Sequence, residues 1–256
     1  MNGYYFFLLA LLGISVGSLL NVVTYRLPLM ISNNALPAFN LWLPASHCTQ
    51  CKKSVRWYDN LPLLSWWILK GRCRYCHLRI SCRYPLTELS SLLLTLLCAL
   101  LFPPGKLLLV LLPFSWLLLA LILIDADCQL LPDILTLPLL WLGLLANTVG
   151  WLPQLPLPEA VTGAMLGYCG LALLSHGYRA LTGKNALGLG DAKLLAALGA
   201  WLGWQLIPQL LLAASLGGIC WVILGRLLYR RSISAPLAFG PFLAVAGWVL
   251  MVVQYR

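Results

Sequence analysis

Apolar residues run along this chain in long unbroken blocks, and polar residues gather between the blocks rather than alternating with them. Eight blocks stand out, at residues 4–24, 86–104, 107–125, 134–152, 158–178, 192–207, 209–229 and 237–254. Most are near the ~20 residues that a helix needs to cross a bilayer, although the sixth is short. Hydrocarbon offers no partners to backbone groups, so only helices or closed barrels span it, and these blocks lack the alternation of a barrel strand. The pattern predicts an all-α polytopic membrane protein of eight transmembrane helices. The first block has no cationic residue ahead of it and no small-residue cleavage site, so it reads as a retained helix, not a signal peptide.

Composition agrees with that setting: of 256 residues, 61% are hydrophobic and only 9% charged. The charge adds an orientation. With the N-terminus periplasmic, the cytoplasmic connections hold Arg26, Lys52, Lys53, Arg56, Lys70, Arg72, Arg74, Arg79, Arg83, Arg179, Lys184, Lys193, Arg226, Arg230 and Arg231, leaving Lys106 and Arg256 outside. That is the bias of the positive-inside rule, and it accounts for the net charge of +10 without a nucleic-acid partner.

The long polar stretch 25–85, between the first two blocks, holds five of the nine cysteines, four of them paired as Cys48-Thr-Gln-Cys51 and Cys73-Arg-Tyr-Cys76, with Cys82 outside the pairs. Two residues between cysteines let both thiolates face one ion, and two such knuckles complete a tetrahedral zinc shell. Two disulfides or unrelated thiols are the competing possibilities, and the loop's positive charge places it in a reducing cytosol, where disulfides do not persist. Four thiolates leave no open position for water, so the predicted zinc is structural. His47 and His77 adjoin the pairs and could substitute as ligands, but their adjacency reads as incidental.

Carboxylates are almost absent from the apolar blocks, yet Asp125 and Asp191 sit at block edges in ILIDADCQLLPD and LGLGDAKLLAALG. Ionisable groups in or beside a bilayer are costly to keep. The orientation puts both on the cytosolic side at similar depth, where two carboxylates can share a proton and activate a water. Their helix-end positions predict that Asp125, at a C-terminus, holds its proton more readily than Asp191, at an N-terminus. Asp191, after Gly188-Leu189-Gly190, equally suits a helix cap. Asp127 and Asp133 belong to a polar turn, and Glu88 opens the second block as a second-rank substrate contact. No His-Glu-x-x-His or Gly-x-Ser-x-Gly occurs, and no spacing pairs His176 with Ser115 or Ser215. Gly13/Gly17, Gly163/Gly167 and Gly199/Gly203 fit close helix packing in lipid. A helical transporter or channel using the two acids, and an assembly scaffold using the cysteine loop, remain alternatives.

GSLLNVVTYRLP (17–28), the two cysteine pairs, RWYDNLPLLSWWILKGRCRYC (56–76), RYPLTELSS (83–91), IDADCQLLPD (124–133) and GLGDAKLLAALGAWLG (188–203) together resemble the bacterial type IV prepilin peptidases. The resemblance to this Gly-x-Gly-Asp class of intramembrane aspartyl proteases implies that Asp125 and Asp191 are catalytic, with Gly188 and Gly190 supporting their loop. It implies zinc on Cys48, Cys51, Cys73 and Cys76. It also implies an inner-membrane enzyme that removes the basic leader of prepilins or type II secretion pseudopilins on the cytosolic side. N-methylation from S-adenosylmethionine would then follow. No Gly-x-Gly-x-x-Gly loop marks a methyl-donor site. Thr49-Gln50 replaces the usual proline of the first pair, and Cys128 stands where histidine is common. The expected organisation is a first helix (1–24), a zinc loop associated with methylation (25–85) and a seven-helix protease domain (86–256).

Overall fold

The computed structural model describes residues 3–32, 40–48, 50–183, 188–229 and 237–256; Thr49, Lys184, Arg230 and Arg231 lie outside them. The described residues form nine α-helices and no β-strand. These are α1 (Gly3–Ser32), α2 (Leu64–Ile68), α3 (Arg83–Leu101), α4 (Lys106–Cys128), α5 (Asp133–Thr148), α6 (Leu157–Thr182), α7 (Leu189–Leu202), α8 (Ile207–Tyr229) and α9 (Gly240–Tyr255). Contacts divide the chain into two compact units, Met1–Pro103 and Pro104–Arg256.

In the first unit, α1 and α3 pack face to face because glycine on α1 meets small polar residues on α3. A Cβ on Gly17 would stand 2.6 Å from Glu88 Cα, and one on Gly13 would stand 2.8 Å from Thr95 Oγ1. The close approach lets Ser91 Oγ donate to the Gly13 carbonyl at 2.7 Å, the kind of interhelical bond that joins helices where the hydrophobic effect is weak. This packing places α3 with α1, a different partition from a boundary at residue 86. Helix α1 also outlasts its apolar block and runs to Ser32. The buried Arg26 guanidinium donates there to the carbonyls of Asn40, Leu41 and Pro44.

The second unit is built around α7. Ala192 and every residue from Leu194 to Leu202 are buried. Helix α6 approaches it backbone to backbone: Gly163 lies against the Gly199 carbonyl, and a Cβ on Gly167 would stand 2.8 Å from the Leu195 carbonyl. From α5, Asn147 Nδ2 donates to Ala200 O (3.2 Å), while Trp201 Nε1 donates to Leu139 O (2.9 Å). Gly203 ends α7 in the left-handed region at φ +81°, a conformation that glycine adopts without a Cβ penalty.

That turn corrects the sixth predicted block, because residues 204–206 form a separate 3₁₀ turn leading into α8. Five helical segments among the described residues are long and apolar enough to cross a membrane, rather than eight. Helices α5 and α9 are apolar but have only 16 residues each, about 24 Å at 1.5 Å per residue. Exposed leucines and isoleucines line α8, among them Leu212, Leu216, Ile219, Ile223 and Leu227, as expected of a surface whose solvent is lipid. The protein is an all-α, multi-pass membrane protein.

Candidate active site and metal centre

Asp125 lies in the last turn of α4, which continues to Cys128, so Asp127 is helical and not part of a turn. Its carboxylate is buried, and Oδ2 has no hydrogen-bond partner among the described residues. Opposite it stands the N-terminus of α9. The Gly240 amide faces the carboxylate, and a Cβ on Gly240 would stand 2.5 Å from Oδ2.

Asp191 occupies the first turn of α7. Gly188, not Asp191, holds the cap position, and no side chain caps the helix, so the capping role is not what the fold uses. An uncommitted carboxylate in the first turn remains available for chemistry. Gly188 sits beside it, with an ideal Cβ 3.6 Å from Asp191 Oδ2.

Leu131 joins the two sites. Its side chain lies 3.0 Å from where a Gly190 Cβ would be and 3.2 Å from where a Gly240 Cβ would be. Leu131 thus packs against both the glycine that precedes Asp191 and the glycine that faces Asp125. Both carboxylates face the positive end of a helix, Asp125 that of α9 and Asp191 that of α7. The contrast predicted from C-terminal against N-terminal placement is therefore offset by α9. Asp133 opens α5 and is bound through both oxygens by Lys193 at 2.7 Å, which ties the starts of α5 and α7 together.

The sequence patterns did not single out Gly240 or Leu131. A Gly-Pro pair opening an apolar block marks a helix start, the one signal that pointed to Gly240. Of the serine–histidine alternative, Ser115 donates to Leu111 O and accepts from Trp248, and His176 is bonded to Ala172 O, so among the described residues these two are engaged elsewhere. Both aspartates lie in terminal turns of their helices. A transporter site would sit near the membrane midplane, and the transporter reading is not supported.

In the first unit, the four thiolates of Cys48, Cys51, Cys73 and Cys76 lie within 4.8 Å of one another, with Cys48 and Cys76 Sγ 3.7 Å apart. Zinc–sulfur bonds of about 2.3 Å in a tetrahedron put sulfurs about 3.8 Å apart, so the cluster fits a zinc ion.

Two equivalent knuckles build the cluster. Cys48 N donates to Lys53 O and Lys52 N to Cys48 O; Cys73 N donates to Leu78 O and His77 N to Cys73 O. Lys52 and His77 take left-handed φ values of 57° and 55° at matching positions. His77 is therefore a turn residue, and His47 bonds Ala45 O; neither joins the cluster. The amides of Cys51 and Gln50 hold the Cys48 thiol down to about 6. Beside the cluster, Arg74 grips Asp59 in a fork and keeps its carboxyl below the usual range.

Glu88, the remaining candidate, is buried on α3. Its Oε2 accepts from Leu63 N at 2.7 Å and its Oε1 from Asn21 Nδ2 at 3.4 Å.

Comparison with known proteins gives these sites a family. Residues 112–223 match the Type IV leader peptidase family, and residues 11–102 match the Bacterial Peptidase A24 N-terminal domain. A Pseudomonas putida protein named prepilin leader peptidase/N-methyltransferase is 47% identical over 262 residues, spanning 96% of this chain and 90% of that protein. The chain belongs to the type IV leader peptidase family.

Family members of the same name from Dickeya chrysanthemi (49% identical, 93% of this chain and 89% of that protein) and Pseudomonas aeruginosa (45%, 94% and 88%) are also similar. The leader peptidase match contains both aspartates, and the N-terminal match contains the four cysteines and Glu88. No solved structure matches the chain.

Proposed function

We propose that this protein is an intramembrane aspartyl endopeptidase of the inner membrane. It removes the leader of type IV prepilins or type II secretion pseudopilins at the cytosolic face and then methylates the new N-terminal amine. The convergence of Asp125 and Asp191 around Leu131 carries the peptidase part. Two like charges at one site cannot both ionise cheaply, so in this reading the pair holds one proton and titrates as a unit.

The ionised member takes a proton from water as its oxygen attacks the scissile carbonyl carbon. The protonated member donates to the carbonyl oxygen. Collapse of the tetrahedral species breaks the C–N bond, and the leaving amine takes up a proton. Gly190 lets Leu131 pack against the first turn of α7, and Gly188 keeps the approach to Asp191 free of a larger side chain.

The thiolate cluster holds a structural zinc that fixes the two knuckles, and S-adenosylmethionine supplies the methyl group. The basic residues of the cysteine loop keep it cytosolic and suit it to anionic lipid. The decisive experiment changes Asp125 or Asp191 to Asn separately and follows leader removal from a co-expressed prepilin. Each variant is expected to lose processing while remaining in the membrane, and processing by either one excludes the dyad.

A further inference from the structure

A cavity of about 780 Å³ lies within the first unit, inside the ~300–1,000 Å³ range of small-molecule sites. Asn21 and Tyr25 of α1, Tyr84 and Glu88 of α3, and Trp66 and Tyr75 of the cysteine loop contribute to its wall. Of the four thiolate residues, Cys48 and Cys73 border it, so the metal cluster forms one edge and does not fill the space.

The wall also carries Lys52, Lys53, Arg74 and Arg79, basic groups suited to a ligand carboxylate, and its charges are unevenly satisfied. Asp59 is clasped by Arg74, and Arg26 is engaged by three carbonyls. Glu88 differs: it is 8% exposed, and its partners are the Leu63 amide and the Asn21 side-chain amide, both neutral. A buried carboxylate without a countercharge is costly, and a cation brought against it recovers part of that cost. The Tyr75 ring is faced by Lys53 at 4.7 Å, while Tyr25, Trp66 and Tyr84 add aromatic surface of the kind that attracts cations and stacks with planar rings. Ligand-sized volume, aromatic surface and one uncompensated buried anion together describe a seat for a cation that carries a flat heterocycle.

S-adenosylmethionine has that chemistry: a sulfonium charge joined to a purine nucleoside. We infer that this cavity is the methyl-donor site and that the Glu88 carboxylate, positioned by Asn21 and Leu63, faces the sulfonium. The inference rests on the N-methylation proposed above. Methyl transfer forms the N–C bond from the amine's lone pair and breaks the S–C bond, with its electrons staying on sulfur and the amine's surplus proton leaving to water. The product is a neutral thioether, so the attraction to Glu88 that retains the donor is lost once the methyl group has gone.

The test uses the purified full-length protein and measures binding of radiolabelled S-adenosylmethionine, with S-adenosylhomocysteine as the competitor that lacks only the methyl group and the sulfonium charge. Wild type is expected to prefer the charged donor. Glu88→Gln is expected to weaken donor binding about tenfold or more while changing the thioether little, so that the preference collapses. Glu88→Asp keeps the charge and retains the preference. Ser65→Phe, on the cavity wall, weakens both ligands alike.

Zinc content of each variant reports whether the knuckles are folded. A purely structural Glu88 would alter both affinities together, leaving the preference intact, and that result overturns the assignment. Wild-type affinities in Ser65→Phe also overturn it. If wild type binds neither ligand, N-methylation falls and the site falls with it; if wild type binds and the variants match it, only the site falls.

Discussion

Gly240 stands so close to Asp125 that a single added methyl group would lie 2.5 Å from the carboxylate Oδ2. The start of α9 thus forms one wall of the Asp125 site, and its backbone amide faces a carboxylate whose Oδ2 is buried without a hydrogen-bond partner. Glycine is required here by space, not by backbone conformation.

Gly240→Ala is therefore expected to abolish leader cleavage by displacing either Asp125 or the first turn of α9. The added methyl meets a carboxylate and the Leu131 side chain together, and overpacking of this kind costs about 1–3 kcal/mol. The protein should stay folded and zinc-loaded while peptidase turnover disappears. Normal cleavage by the variant would show that the α9 start can withdraw from Asp125 without consequence.

How much of this was legible in the sequence depended on what lipid and metals demand. Continuous apolar blocks revealed the helices because a bilayer permits little else, and the two cysteine pairs revealed the cluster because two-residue spacing serves one ion. Asp125 and Asp191 stood out because carboxylates are rare in such blocks. The end of α7 was missed because apolar residues resume on both sides of Gln205 while the backbone turns at Gly203. Gly240 carried almost no signal, since the importance of a glycine lies in what packs opposite it. Nor did the glycine typical of a left-handed turn mark the knuckles, because Lys52 and His77 occupy those positions.

The Lys193–Asp133 pair joins the first turn of α5 to the second turn of α7, two residues beyond Asp191. Both side chains are partly exposed, so the pair contributes at most about 1 kcal/mol to stability. Its expected effect is on geometry. Lys193→Met should lower the cleavage rate several-fold with little change in thermal stability. Asp133→Asn should do the same, and the double variant should be no worse than either single one. Additive losses would mean that the two residues act separately.

Zinc retention should depend on four cysteines and on no others. Cys73→Ser removes a buried thiolate of the cluster and is expected to release the metal, opening the first unit's loop to proteolysis. Cys82→Ser, at an exposed position outside the cluster, should keep its zinc. Metal analysis of the two purified variants checks the contrast, and equal zinc in both would remove Cys73 from the ligand set.

Helix α6 reaches α7 because Gly163 and Gly199 meet backbone to backbone, with Gly167 against Leu195 one turn on. A side chain at either position has no flexible neighbour to displace, since the atoms opposite are carbonyls and main-chain carbons. Gly163→Val is expected to separate α6 from α7 and to destabilise the second unit by at least about 3 kcal/mol, the upper part of the overpacking range. Because α7 carries Asp191, cleavage should be lost as well, whereas zinc binding by the first unit's cysteines should persist. Gly170→Val on the same helix, where an added Cβ meets nothing within 4 Å, supplies the comparison. Thermal unfolding and prepilin processing measured on both variants would separate close packing from a general intolerance of valine in α6, and equal behaviour of the two would exclude the close contact as the cause.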